Sequence, residues 1–262
     1  QGLSALGVII IIGFLLLIGS SLFSVVILHS IISLCVVAVW FYITPRQYYS
    51  CNPVYKELRN FFAASLSFAC TNIIWVFYFN FDTLMLALMK SEDVVGVYAA
   101  VFRIYSLIYI FGYALANSFT PHLFDKHFNE KNIYQKHSII LMKSLLILGI
   151  PFFLILLFGS SFLIPLILGG EYKAGILIAR VLSFAIIFRL LNFGLAEILT
   201  TSNNQRVRIL LEIILLALNI LLNFLFIPHL AGVGAALATI IAEMIFCFYV
   251  GIYCFKKRIL FL

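Results

Sequence analysis

Long apolar runs separated by short polar breaks organise this chain of 262 residues. From Gln1 to Ile43 there is no Asp, Glu, Lys or Arg, and a helix crosses a hydrocarbon core in about 20 residues, so two spans fit before the first charge. Apolar runs bounded by charges, Pro, Gly and Asn predict eight helices: Leu3 to Ser20, Ser24 to Ile43, Phe61 to Met89, Val94 to Leu123, Ile139 to Leu168, Ala174 to Ser202, Arg208 to Ile227 and Gly232 to Phe255. Several exceed the length that crosses the core, which predicts tilt, kinks or extension beyond the lipid, with Pro151 as the kink candidate. The polar stretch from Thr44 to Asn60, broken by Pro45, Asn52 and Pro53, divides a charge-free pair of helices from a set of six. Six helices are half of a common transporter plan, in which two related bundles rock about a central site.

Composition leaves little room for another class. The chain is 64% hydrophobic and 10% charged, with a mean hydropathy of +1.15, whereas soluble domains carry about 25% charged residues. A water-soluble fold is excluded. The chain opens on Gln1 inside an apolar run, with neither a basic leader nor a small-residue cleavage site, and reads as a piece of a longer protein. Its five cysteines have neither metal-ligand spacing nor the pattern of a disulfide framework.

The net charge of +7 does not point to nucleic acid, because the basic residues are scattered among short loops. Twelve of the 17 lie on one side, after the second, fourth, sixth and eighth spans, and only Lys90 and Lys173 fall in the opposite loops. By the positive-inside rule the richer side is cytoplasmic, and both ends of the chain then face the cytoplasm.

Two blocks carry a family resemblance. FDTLMLALMKSEDVVGVYAAVFRI, Phe81 to Ile104, places an intramembrane Asp before a short outer turn, a Gly-x-Tyr-x-Ala helix start and a membrane Arg. NILLNFLFIPHLAGVGAALATIIAE, Asn219 to Glu243, has Asn-x-x-x-Asn, an outer Ile-Pro turn and a Gly-x-Gly-Ala-Ala helix start, and LTTSNNQRVRI before it adds an inner basic turn. In these features the chain resembles the O-antigen flippase (Wzx) family of the multidrug/oligosaccharidyl-lipid/polysaccharide flippase superfamily. The resemblance implies an all-α polytopic membrane protein of twelve or more helices in two lobes. Of these, residues 1–43 hold the last two helices of the N-terminal lobe, 44–60 a cytoplasmic linker and 61–262 the six-helix C-terminal lobe. It implies flipping of an undecaprenyl-diphosphate-linked oligosaccharide to the periplasmic leaflet of a bacterial inner membrane. No cofactor is implied, and the partners are the lipid-linked oligosaccharide, membrane lipids, a polysaccharide polymerase and a chain-length regulator. The alternatives are a cation-coupled multidrug exporter on the same plan and a membrane enzyme of polysaccharide assembly; the outer turns are too short for the loop such an enzyme needs.

A charge at the bilayer centre costs about 2.5–3.5 kcal/mol on insertion scales, so charged residues inside spans face a cavity or a partner. Asp82, Arg103, Arg180, Arg189, Glu197, Glu212 and Glu243 are so placed. Asp82 and Arg103 lie about 10 and about 13 Å from the outer ends of adjacent helices, within reach of a charge pair. Arg189 lies about 22 Å from the outer end of its span, too deep for easy snorkelling, and is the leading substrate-binding candidate. Arg103 and Arg180 follow it, Arg180 being shallow enough to snorkel. Glu243, near mid-membrane, is the candidate coupling acid, whereas Glu212 pairs with Arg208 one turn earlier. Asn72, Asn192, Asn219 and Asn223 offer hydrogen bonds to sugar hydroxyls or to neighbouring helices. Gly232, Gly234, Ala235, Ala236 and Ala238 have no preceding strand and read as close helix packing, not a nucleotide loop. His122 and His127 lack a matching ligand set, and no metal site is expected.

The charge distribution predicts an experiment on the full-length protein stripped of native cysteines. A membrane-impermeant thiol reagent applied to intact cells should modify a cysteine placed at Glu92 or Lys173 and spare one at Lys131. Modification of the Lys131 probe would reverse the assigned orientation.

Overall fold

The computed structural model describes the backbone continuously from Tyr55 to Lys257, together with Ile259 and scattered positions between 27 and 42. The helix expected over 3–20, part of the one expected over 24–43 and most of the 44–60 stretch lie outside the described residues. Contacts divide the chain into units 1–61 and 62–262. In the first, the described positions between 27 and 42 are helical. The second holds the elements that build the site.

Helix α1 spans Tyr55–Met89, α2 Glu92–Asn129 and α3 Lys131–Leu168; a 3-10 turn at Gly170–Ala174 leads into α4, Gly175–Thr201. Helices α1 to α3 reach further at one end than hydropathy indicates: α1 begins at Tyr55, not Phe61, α2 continues beyond Leu123, and α3 starts at Lys131, not Ile139. The physical reason is that hydropathy falls where lipid ends, whereas the backbone hydrogen-bond ladder continues through good helix formers such as the Lys, Glu, Leu and Arg of YKELRN. All these extensions lie at the end that carries the basic residues, called the basic end below. The helical run of α3 continues through Pro151 and Pro165.

The last helical stretch, Gln205–Lys256, has 52 residues, which as one helix would extend about 78 Å. It is instead two helices. Ala231 has φ 50 and ψ −129, outside the helical region, and a Cβ on Gly234 would stand 2.5 Å from the Phe226 carbonyl oxygen. Residues eight apart along a straight helix are separated by about 12 Å, so this approach requires the chain to double back. Asn223 and Thr239 confirm the reversal, because both hydrogen-bond Asp82. We call the two arms α5 (205–230) and α6 (232–256). The two helices expected on either side of the Ile-Pro turn are therefore both present, and the described residues of the second unit form six helices.

Helix α4 is the centre of the bundle, with 18 of its 27 residues buried. Leu182, Ile186 and Leu190 are fully enclosed and share one core with Leu141, Leu145 and Ile164 of α3 and Leu86 of α1. Gly194 lets α3 approach: a Cβ there would lie 2.7 Å from the Met142 sulfur and 2.8 Å from Leu145 Cδ1, the small-residue packing typical of membrane bundles. Large apolar side chains cover the outside, among them Leu88, Phe158 and Phe162. Helices α1 to α4 and the α5–α6 stretch are each long and apolar enough to cross a membrane.

The hairpin predicts an asymmetry between two glycines of α6. Gly234→Val forces a branched side chain against the Phe226 backbone, an overpacking that costs about 1–3 kcal/mol, whereas a Cβ on Gly251 meets nothing within 4 Å. Thermal melting of the detergent-solubilised full-length protein should fall by several degrees for Gly234→Val and stay near wild type for Gly251→Val. Equal melting temperatures would argue against the close approach.

Candidate functional site

Polar and aromatic residues repeat at helical spacing on three facing helices. Thr71, Asn72, Trp75, Tyr78 and Phe79 line α1; Ser106, Tyr109, Tyr113, Asn117 and Thr120 line α2; Arg189, Asn192, Phe193, Ala196, Glu197 and Thr200 line α4. With Arg208, Glu212 and Leu215 of α5 and Phe246 of α6 they enclose a cavity of ≈ 750 Å³. Each stripe follows the i, i+3, i+4, i+7 pattern that keeps side chains on one helix face.

Arg189 sits at the inner wall and is 3% exposed. Its Nη1 donates to Glu243 Oε1 at 2.8 Å, and its guanidinium carbon lies 3.6 Å from the centroid of the Trp75 ring. Phe193, Tyr78 and Tyr109 surround it at 4.9, 5.2 and 5.2 Å. A cation held over an aromatic face away from water gains about 2 kcal/mol, which offsets part of the desolvation that burial imposes. Glu243 is fully buried and has two further donors, Tyr78 OH to Oε1 at 2.6 Å and Asn192 Nδ2 to Oε2 at 2.6 Å. The cluster thus joins α1, α4 and α6 at one depth. Arg189 Nε and Nη2 are buried without a hydrogen-bond partner.

Toward the basic end the wall is polar. Arg208 donates to Thr200 at 2.6 Å and to Glu212 at 2.8 Å, Gln205 bridges Thr200 and Thr71, and Thr120 donates to Glu197 at 2.9 Å. Eleven residues of α4 separate Arg189 from Thr200, about 16 Å along the axis, so the cavity carries one guanidinium deep in the bundle and another near its basic end.

Asp82 forms a separate cluster nearer the opposite end. It is 3% exposed and accepts from Thr239 Oγ1 at 2.5 Å, Asn223 Nδ2 at 2.6 Å and Tyr98 OH at 2.9 Å. The expected Asp82–Arg103 pair is not formed. Tyr98 faces Asp82, and five residues further along α2 the helix has turned by about 140° from that direction, so Arg103 is exposed on another face. That face is the cavity stripe of α2, since Arg103 lies seven residues before Ile110 and fourteen before Asn117. Arg180 is half a turn out of phase with Arg189 and bonds Ser161 Oγ at 2.6 Å and Ser160 Oγ at 3.3 Å on α3, away from the cavity. The Arg208–Glu212 pair is formed as the i,i+4 spacing indicates. Among the substrate-binding candidates only Arg189 lines the cavity. Sequence reasoning does not single out Trp75, Tyr109, Tyr113, Phe193 and Arg208 as cavity residues; the signal for the aromatic ones is the polar-aromatic stripe on α1, α2 and α4, which resembles ordinary apolar span sequence, and Arg208 reads as the partner of Glu212. Among the described residues no group of three His, Cys, Asp or Glu side chains could hold a metal ion.

These features define an all-helical, multi-pass membrane protein, and its fold is shared with solved structures. An outward-facing multidrug resistance MATE family transporter superposes with a TM-score of 0.67 at 20% identity, covering 74% of this chain and 44% of that one. A MOP superfamily transporter from Pyrococcus furiosus, whose binding pocket is described as reversed in polarity, gives 0.64 at 21% identity, with 74% and 44% coverage. Residues 1–127 match the family described as polysaccharide biosynthesis protein. The chain is 23% identical to the probable low-salt glycan biosynthesis flippase Agl15 of Haloferax volcanii, over 87% of this chain and 48% of the relative. It is 23% identical to the capsular polysaccharide biosynthesis protein CapF of Staphylococcus aureus, over 89% and 59%. The chain spans about half the length of these curated relatives. The likenesses are thus to proteins of polysaccharide biosynthesis in sequence and to transporters in fold.

The Asp82 cluster predicts where coupling lies in a double-mutant cycle read by thermal stability of the full-length protein. Asp82→Asn and Asn223→Ala should be non-additive by about 0.5–3 kcal/mol, as for groups in one hydrogen-bond network. Asp82→Asn and Arg103→Gln should add within about 0.5 kcal/mol. Rescue of Asp82→Asn by Arg103→Gln would restore the direct charge pair.

Proposed function

We propose that this chain forms the C-terminal part of a flippase that carries an undecaprenyl-diphosphate-linked oligosaccharide, of the O-antigen kind, from the cytoplasmic to the periplasmic leaflet of a bacterial inner membrane by alternating access. In this reading residues 1–43 complete the N-terminal lobe, 44–60 link the lobes on the cytoplasmic side and 61–262 form the C-terminal lobe. The observation that carries it is the cavity, in which a buried guanidinium and a second one near the basic end are separated by aromatic faces. Guanidinium groups pair with phosphate or carboxylate oxygens, and aromatic walls with neighbouring Asn and Thr side chains suit sugar rings, which have apolar faces and hydroxyl edges. Arg103 continues the α2 stripe beyond the cavity and meets the cargo on its way across. Arg180, bonded to α3, helps to hold the bundle. Polymerase and chain-length regulator act on the delivered cargo.

The multidrug transporters of like fold support an exporter as the rival. Small cationic drugs need an acidic wall, and here Glu243 and Glu212 are each bound to an Arg while Glu197 is bound to Thr120. That arrangement favours an anionic cargo.

The test is glycan display in a flippase-deleted cell, made with the full-length protein and normalised to its membrane level. Arg189→Ala should abolish display per unit of membrane protein, and Arg189→Lys should keep a partial level, because the charge survives without the planar fork. Full display by the alanine variant would remove Arg189 from cargo contact, and loss of protein along with display would make its role structural.

A further inference from the structure

We propose that Arg180 and Ser161 hold the phosphate of an anionic bilayer phospholipid on the outer flank of α3 and α4, in the leaflet opposite the basic end. The site is separate from the cavity and independent of what the cavity carries. Leu177 and Phe184 flank Arg180 at i−3 and i+4 on the exposed side of α4, and exposed Phe158 and Phe162 lie beside Ser161 on α3. In a spanning helix such a surface faces lipid, so Arg180 is a cation set in an apolar, lipid-facing strip. Its depth suits a headgroup. The apolar span of α3, Asn132–Leu168, has 37 residues, about 55 Å of helix against a hydrocarbon core of about 30 Å. A core centred on that span ends about ten residues beyond its middle, Ile150, which is the level of Ser160 and Ser161.

The guanidinium is held but not neutralised. Its Nη2 donates to Ser161 Oγ at 2.6 Å and its Nε to the Oγ of fully buried Ser160 at 3.3 Å. These bonds occupy one edge of the planar group and fix its plane against α3. The hydrogens of Nη1 and the second hydrogen of Nη2 remain at the far end, where they form a fork that two oxygens of one phosphate accept. Ser161 accepts from Arg180 and keeps its own O–H to donate to the same phosphate. Both serines are neutral, and among the described residues the ion pairs are those of Arg189 and Arg208. Glu171, the acid of the adjoining turn, lies against Gly169, about 12 Å further along the α3 axis than Ser161. At the hydrocarbon boundary water and salt screen a charge less than in solution, so a net negative headgroup is the complement of this fork. A zwitterionic lipid carries an ammonium that offsets its own phosphate. The Phe184 ring, set edge-on to Phe153 with centroids 5.2 Å apart, gives the acyl chain an apolar bed one turn deeper.

The test is tryptophan fluorescence of the full-length protein in lipid vesicles. Phe184→Trp places a reporter one turn from Arg180 on the same face, and lipids with brominated chains quench it on contact. Its signal, taken as the difference from protein without the substitution, should show about fivefold higher apparent affinity for brominated phosphatidylglycerol than for brominated phosphatidylcholine. Adding Arg180→Gln should remove that preference. Ile147→Trp, a reporter on the exposed side of α3 far from Arg180, should show none. Equal quenching of the Phe184→Trp reporter by the two lipids, or a preference that survives Arg180→Gln, would overturn the site. So would an equal preference at Ile147→Trp, which would make the effect one of general charge and which decides the matter even if Arg180→Gln fails to fold. Absence of quenching by either lipid would show that protein covers this flank and would likewise overturn it. Two competitors identify the source of the phosphate. Relief of quenching by millimolar inorganic phosphate would assign the fork to a soluble anion, and relief by a minor fraction of polyprenyl diphosphate to an isoprenoid carrier; either result would remove the bilayer phospholipid.

Discussion

A buried ion pair between Arg189 and Glu243 is the contact on which the arrangement of the lobe turns. Neither charge is tolerable alone at that depth, where an unpaired side chain costs about 2.5–3.5 kcal/mol even on the mildest scales. Each is therefore satisfied from several helices at once: Trp75 and Tyr78 from α1, Asn192 from α4, and the acid itself from α6. Removing one partner from such a pair leaves the other uncompensated, which is more damaging than replacing both. The pair thus fixes how three helices meet, and in doing so sets the inner wall of the cavity.

The second polar cluster works on the same elements one turn away. Asp82 follows Tyr78 by four residues on α1, and Thr239 precedes Glu243 by four on α6, so the two helices are joined by two successive polar contacts. Asn223 brings α5 into the second of these, which the reversal at Ala231 makes possible. Lys90 donates to the Pro228 carbonyl at 2.8 Å, satisfying a backbone acceptor near the end of α5 and tying the α1–α2 turn to the hairpin. These contacts close the bundle toward one end. The cavity lies toward the other, with Arg208 near its limit.

The lobe presents aromatic and cationic surfaces in sequence along one wall. The aromatic rings that surround Arg189 stabilise its charge without cancelling it by contact with a second acid. The guanidinium is consequently well held, with its Nε and Nη2 buried without a hydrogen-bond partner.

Fold class was legible in the sequence because lipid imposes it. Apolar runs of this length with their backbone groups unsatisfied by water must be helices, and the six that build the second unit stand where the runs place them. The depth of Arg189 and Glu243 was legible for the same reason, since counting residues from a helix end measures distance along the axis. What one-dimensional counting does not carry is direction around that axis between helices whose packing is unknown. Asp82 and Arg103 have matching depths, yet Tyr98, Asn223 and Thr239 satisfy the acid while Arg103 points elsewhere. Arg180 and Arg189 share a helix, yet only Arg189 faces the cavity. Depth is a property of one helix and follows from sequence alone. Partnership is a property of several helices, decided by their rotation and close approach, and only the tertiary structure fixes those.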